Sequence, residues 1–218
     1  MNKKDYMIIL GTAHLGSTAG KCSPDKTLKE AEYSRSVIDD IEAILLSNGY
    51  NVVVDYAPLE EDANMRAVSK TLDQQNRELI YRARYVNSIC EQVGKDKVLY
   101  VSVHVDAAGA DGKWHDANGW SAFVSLNASA NSKRLANRLF DAAKKYGLKT
   151  RVSTPNQKYW EKNLYVLTQT KCPAVLTENL FQDNKQDVEY LLSDTGRHAI
   201  ARLHVEGIIS YLQELSKT

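Results

Sequence analysis

Apolar residues along this chain follow two rhythms. Short continuous runs at Tyr6–Leu10, Asn51–Tyr56, Val98–Val105, Ser121–Leu126 and Ala174–Thr177 read as β-strands. Between them, at about Leu28–Ser47, Asp73–Val93, Ser132–Lys145 and Gly196–Leu215, apolar positions recur every three or four residues, the spacing of helices with one buried face. The run Val98–Val105 (VLYVSVHV) has the continuity of a strand covered on both faces. This alternation predicts an α/β fold, a twisted and mostly parallel sheet flanked by helices on both faces. No internal repeat or low-complexity linker interrupts it, so residues 1–218 read as a single domain.

Three stretches fit neither rhythm: Leu15–Thr27, Gly109–Gly119 and Arg151–Lys162. Polar loops hung from a rigid sheet are where substrate contacts usually sit, and Trp114, Trp120 and Trp160 lie in or beside these loops as candidates for such contacts. The polar segment Pro58–Arg77 reads as an insertion or an extra helix near the site.

Composition narrows the class. Hydrophobic residues are 43% and charged residues 25%, which excludes a disordered chain, a coiled coil, a collagen and a disulfide knot. With 28 Lys+Arg against 27 Asp+Glu the net charge is +1, without the basic excess of a nucleic-acid binder. Every apolar run is too short for a membrane span. The N-terminal Lys3-Lys4 is followed by too short an apolar stretch for an export signal, so the chain is expected to be made without one, or the signal precedes this sequence. Cys22, Cys90 and Cys172, odd in number and far apart, read as free thiols.

In an open α/β sheet, ligands bind beyond the carboxyl ends of the strands. Strand one ends in Gly11-Thr12-Ala13-His14, the central strand in Ser102-Val103-His104 and the last strong strand in Leu176-Thr177-Glu178. Two histidines and a carboxylate thus converge on one edge. Tyr33, Val37, Ile41 and Ile44 mark the inward line of the first helix, and a step of seven residues back from Val37 puts Glu30 on it, whereas Glu32 falls on the solvent line of Ser36 and Asp39. A first-turn carboxylate can simply complement the helix dipole, but an inward one needs a partner. A metal beside His14 supplies one. His, His and Glu with a second Glu free make a three-ligand set of the catalytic zinc type, with an unligated carboxylate to move the proton.

These residues carry a resemblance. His14 follows strand one, and Glu30 precedes Gly49-Tyr50 by nineteen residues. Ser102-Val103-His104-Val105-Asp106-Ala107 ends the central strand, and Pro173-Ala174-Val175-Leu176-Thr177-Glu178-Asn179-Leu180-Phe181 comes near the end. In these features, spread from Ile8 to Leu212, the chain resembles the zinc-dependent N-acetylmuramoyl-L-alanine amidases, the type-3 amidase family of autolysins and phage endolysins. The resemblance implies a catalytic amidase domain that binds one Zn2+ through His14, Glu30 and His104, with Glu178 as the catalytic carboxylate. It implies peptidoglycan as substrate, with cleavage of the amide between N-acetylmuramic acid and L-alanine, and action at the bacterial cell wall. Neither nucleic acid nor a membrane span is expected, and the chain is expected to be a monomer. Arg82 matches a family arginine whose role stays open. Ala13 and Leu15 flank His14 where the family has other residues, and Asp106 stands where it usually has Asn; these departures bear on substrate fit more than on metal binding.

Other candidates yield to plainer readings. Gly11-x4-Gly16-Ser17-Thr18 lacks the lysine of a phosphate loop. His115 reads as an exposed loop residue, His198 as a surface residue, and His204, on the line Ile200, His204, Ile208, as a satisfied core histidine. Cys22 lies between His14 and Glu30 but the ligand set is complete without it. Two alternatives stay open: a zinc peptidase cutting within the stem peptide, and a non-catalytic wall-binding module of the same fold.

Overall fold

The computed structural model describes residues 2–15, 18–55 and 72–217. Its strands are β1 (Met7–Thr12), β2 (Asn51–Val54), β3 (Val98–Asp106), β4 (Ser121–Val124), β5 (Trp160–Glu161) and β6 (Ala174–Phe181). They form one sheet in the order β2-β1-β3-β6-β4-β5. The first four of that order run parallel; β4 is antiparallel to β6, and β5 runs parallel to β4. The helices are α1 (Glu30–Ser47), α2 (Leu72–Val93), α3 (Ala130–Lys145), α4 (Tyr165–Gln169), α5 (Lys185–Leu192) and α6 (Asp194–Leu215).

Side-chain alternation along the strands builds two cores. Leu99, Val101, Val103 and Val105 of β3 pack with the buried sides of α1, α3 and α6. Val98 and Tyr100 face the other way and pack with Val86 and Cys90 of α2 and with Val166 and Leu167 of α4. The same two-residue period continues into polar positions, so Ser102 and His104 of β3 and Glu178 of β6 line a cleft on the α2 side. Strands β3 and β6 pair in register with His104 opposite Glu178, which fixes that juxtaposition through the backbone.

Helix boundaries have local causes. Ser129 and Ser193 cap α3 and α6 by accepting from the backbone N–H groups of Ser132 and Gly196. Gly49, at φ 84°, lets the chain leave α1 in the left-handed conformation that a side chain resists. Gly207 sits where α6 crosses α3; a Cβ there would lie 2.8 Å from the Leu139 Cα.

Several expectations on the elements need correction. Strand β4 stops at Val124, short of Leu126, because Ser125–Ala128 fold into a turn closed by the Ala128 N–H on the Ser125 carbonyl at 3.0 Å. β5, α4 and α5 did not show in the pattern: two, five and eight residues are too few to display a period. Strand β2 ends at Val54; Tyr56, residues 58–71 of the polar segment Pro58–Arg77, and Gly16-Ser17 lie outside the described residues, and from Leu72 the chain is in α2. No helix among the described residues is long and apolar enough to cross a membrane.

His204 is fully buried, with Nδ1 2.7 Å from the Ile200 carbonyl and Nε2 2.9 Å from the Thr177 hydroxyl. The carbonyl can only accept, so Nδ1 carries the proton and Nε2 accepts from the hydroxyl. Burial pushes the imidazole pKa down to about 4. An unfolded histidine takes its proton near 6.5. Its contribution to stability is therefore whole above pH 6.5 and is lost as pH falls toward 4, by roughly 3 kcal/mol in all. Urea unfolding of the wild type and of His204→Gln between pH 7.5 and 4.5 should show this part of the acid destabilisation in the wild type alone. Parallel curves would refute it.

Candidate active site

The site begins with the turn after β1. His14 adopts φ 46°, a conformation unfavourable for a non-glycine residue, so its surroundings must hold it. Ser34, one helical turn beyond Glu30, accepts from the Ala13 N–H at 2.9 Å and donates to the Val103 carbonyl at 2.7 Å, tying the turn to α1 and β3 together. From the other side Arg82 of α2 donates to the His14 carbonyl at 3.3 Å and to the Thr12 hydroxyl at 3.1 Å.

Arg82 itself is 2% exposed and belongs to a buried charge network. It pairs with Asp55, just past β2, and with Glu78 at 2.9 Å. Asp55 also accepts from the Thr12 N–H at 2.9 Å and from the Tyr100 hydroxyl at 3.0 Å. Tyr100 crosses directly over Gly11, where a Cβ would collide with its ring. The glycine is thus needed for the tyrosine to reach Asp55.

Above this network lies Glu30, the first residue of α1, 1% exposed. Its Oε1 is 3.0 Å from His104 Nδ1 and its Oε2 is 3.4 Å from His14 Nε2. Burial works against the carboxylate's charge, but the two histidines outweigh it and hold the group well below the usual range. Burial likewise lowers the His104 pKa against the pull of Glu30, which favours the neutral imidazole. Oε2 of Glu30 has no hydrogen-bond donor although it is buried. Lys21 stands 3.9 Å from it, at the mouth.

His14, Glu30 and His104 each offer one donor atom, and the three atoms lie within 4.8 Å of one another. This group could hold a metal ion. The donor set fits: two imidazole nitrogens, one carboxylate held ionised, and a carboxylate oxygen that makes no hydrogen bond. Glu32, which shares the first turn, points to solvent with its side chain 64% exposed.

Glu178 lies beside this group and outside it. Burial pushes its carboxyl well above the ordinary carboxylate range, with the charges of Glu30 and Asp106 adding to the shift. Its Oε2 has no hydrogen-bond partner. A cleft of about 310 Å³ opens onto Glu178, His14, Glu30 and His104, walled by Leu79, Leu164 and Leu176.

The remaining candidates lie elsewhere. Trp120, expected among possible substrate contacts, is fully buried; its Nε1 donates to Asn179 Oδ1 at 2.8 Å. Asn179 in turn donates to the His104 carbonyl at 2.9 Å. The tryptophan therefore fixes an amide that fixes the backbone of His104. Trp114 is exposed, and Trp160 is half-buried, stacked on Phe123 at 6.4 Å. His115 bonds to Asp111 at 2.9 Å within its loop, His198 is exposed on α6, and Cys22 bridges to Lys29 apart from the three-donor group.

Sequence reasoning missed Asp55, Tyr100, Ser34 and Asn179, which hold the site together. Their only signal was a polar or hydroxyl group closing or interrupting an apolar run.

A family model described as N-acetylmuramoyl-L-alanine amidase matches residues 8–210. An endolysin of Bacillus phage SPP1 is 29% identical over 212 residues, covering 97% of this chain and 68% of the endolysin. A probable cell wall amidase of Staphylococcus saprophyticus, LytH, is 28% identical over 212 residues, with 97% of this chain and 60% of that protein covered. The solved CwlD amidase of Clostridioides difficile, in complex with the GerS lipoprotein, superposes with a TM-score of 0.76 at 22% identity, over 96% of this chain and 99% of that one; at that identity the likeness speaks to the fold.

Replacing Arg82 with methionine leaves Asp55 and Glu78 buried without their cation. Removal of one partner from such a network costs about 3–5 kcal/mol. Arg82→Met should lower the urea midpoint accordingly, and an unchanged midpoint would refute the pairing's structural weight.

Proposed function

The chain belongs to the N-acetylmuramoyl-L-alanine amidase family, and from that premise we propose that it hydrolyses peptidoglycan at the bacterial cell wall, as a zinc-dependent enzyme cleaving the amide between N-acetylmuramic acid and L-alanine. The observation that carries this reading is the His14–Glu30–His104 group, built around the buried Glu30 with one oxygen that makes no hydrogen bond, set beside a second carboxyl, Glu178, whose pKa is raised.

In this reading His14, Glu30 and His104 hold one Zn2+, which when bound supplies Lewis acidity toward a water and toward the scissile carbonyl. Glu178 takes a proton from the attacking water and delivers it to the leaving nitrogen of L-alanine. A carboxyl with a raised pKa suits both halves of that task at neutral pH. Leu79, Leu164 and Leu176 shield the reacting amide from bulk water. The Arg82–Asp55–Tyr100 network and Ser34 keep the His14 turn in place, and Asn179 does the same for His104.

Digestion of purified peptidoglycan with and without a chelator, followed by mass analysis, tests the whole reading. Chelator-sensitive release of intact stem peptides with a free L-alanine amine is expected; fragments cut within the stem would make the enzyme a peptidase instead. Glu178→Gln should retain stoichiometric zinc and lose about a hundredfold or more in rate, and an active variant would remove Glu178 from its role. His104→Ala should lose zinc at chelator-buffered concentrations, measured by metal analysis, and full retention would exclude it as a ligand.

A further inference from the structure

A second cavity, of about 550 Å³, continues from the catalytic cleft toward β4 and β5 and shares Glu178, Asp106 and Leu164 with it. Its character differs from the first. Its apolar floor is aromatic, with Phe123 and Trp160 stacked on one another and Phe181 beside them. Two cations line it, Arg151 and Lys162.

Arg151 is held in place. Its guanidinium lies 4.8 Å from the centre of the Phe181 ring and 3.3 Å from one oxygen of Asp106, and its backbone N–H bonds to the Trp120 carbonyl at 2.8 Å. One interaction with Asp106 leaves most of its donor fork free. Lys162 is exposed and makes no ion pair among the described residues, while its backbone N–H is anchored on the Val124 carbonyl at 2.9 Å. Of the two acids in the same lining, Asp106 pairs with Arg151 and Glu178 is the carboxyl assigned to the reaction, which leaves Lys162 as a cation without an acid partner among the described residues.

We propose that Arg151 and Lys162 form a carboxylate subsite for the stem peptide, which sets the direction in which substrate lies across Glu178 and favours strands whose second stem residue keeps a free α-carboxylate. The inference rests on the amidase reading above. Of the two halves that this cleavage separates, the glycan is neutral around the cut, since the lactyl carboxyl is consumed in the amide, and free carboxylates belong to the peptide. A positively charged, aromatic-floored arm therefore takes the peptide, and the arm walled by α2 takes the sugar. An arginine fork with a nearby lysine meets both charged oxygens of a carboxylate, whereas a carboxamide offers them a single uncharged oxygen.

The test is a competition digest of two purified peptidoglycans, one with the second stem residue bearing a free α-carboxylate and one with that group amidated. The wild type should favour the free acid by about tenfold in kcat/KM, the order expected for a charged hydrogen bond. Arg151→Ala should pull the ratio toward one, acting mainly on KM, and Arg151→Lys should recover part of it. Lys162→Glu, at an exposed position that leaves folding intact, should reduce or invert the ratio. Equal rates on both polymers with the wild type, or a ratio that neither variant moves, would overturn the subsite while leaving the amidase reading standing. Failure to release L-alanine amines from either polymer would overturn the amidase reading and the subsite with it.

Discussion

The burial of one carboxylate organises this molecule. Glu30 is removed almost wholly from water, a state that costs several kcal/mol unless the charge is met. Two imidazoles meet it, one at each oxygen, and the oxygen facing His14 makes no hydrogen bond. Everything around the group serves to keep those three side chains from relaxing apart. Ser34 joins the turn after β1 to β3, Arg82 grips the same turn from α2, and Asn179 holds the β3 end from β6. Each of these bonds crosses from one element to another, so the site is a product of the tertiary packing rather than of any one loop.

The two buried glutamates show how position alone divides chemical labour. Glu30 lies between histidines and is held ionised; Glu178, opposite His104 in register, is driven toward the protonated form by burial, with the charges of Glu30 and Asp106 adding to it. In the proposed reaction, identical side chains in one cleft thus divide into a ligand and a proton carrier. Separation of carboxyl pKa values by environment is a recurring route to acid–base work at neutral pH.

Much of this was legible in the chain. The parallel strands announced themselves through apolar runs, and their ends brought His14, His104 and Glu178 to one edge; helical spacing alone turned Glu30 inward and Glu32 outward. What could not be read has definite causes. The direction of β4 depends on how a long loop returns, not on its four residues. Trp120 follows a glycine-rich loop and reads as a surface residue until its Nε1 finds Asn179. Asp55 and Tyr100 are separated by 45 residues, and nothing local ties an acid after one strand to a hydroxyl in another. Gly11 is explained only once Tyr100 is known to lie across it.

The reversal of β4 divides the edge that carries the site into two unlike halves. On the β1, β3 and β6 side, the functional groups sit at strand ends, where any shift disturbs the register of the sheet. On the β4 side, the neighbour of Glu178 is the start of a strand, Ser121, and the chain reaches it through the long connection that follows Ala107. That connection is fastened at its two ends, by Asp183 to the N–H groups of Ala108 and Gly109 and by Asp187 to that of Gly119. It is held in its middle as well, where the His115 N–H bonds to the Asp183 carbonyl at 2.7 Å and the Asn184 side chain donates to the His115 carbonyl at 3.1 Å. The connection beside Glu178 is thus carried by the segment that follows β6, the strand on which Glu178 itself sits.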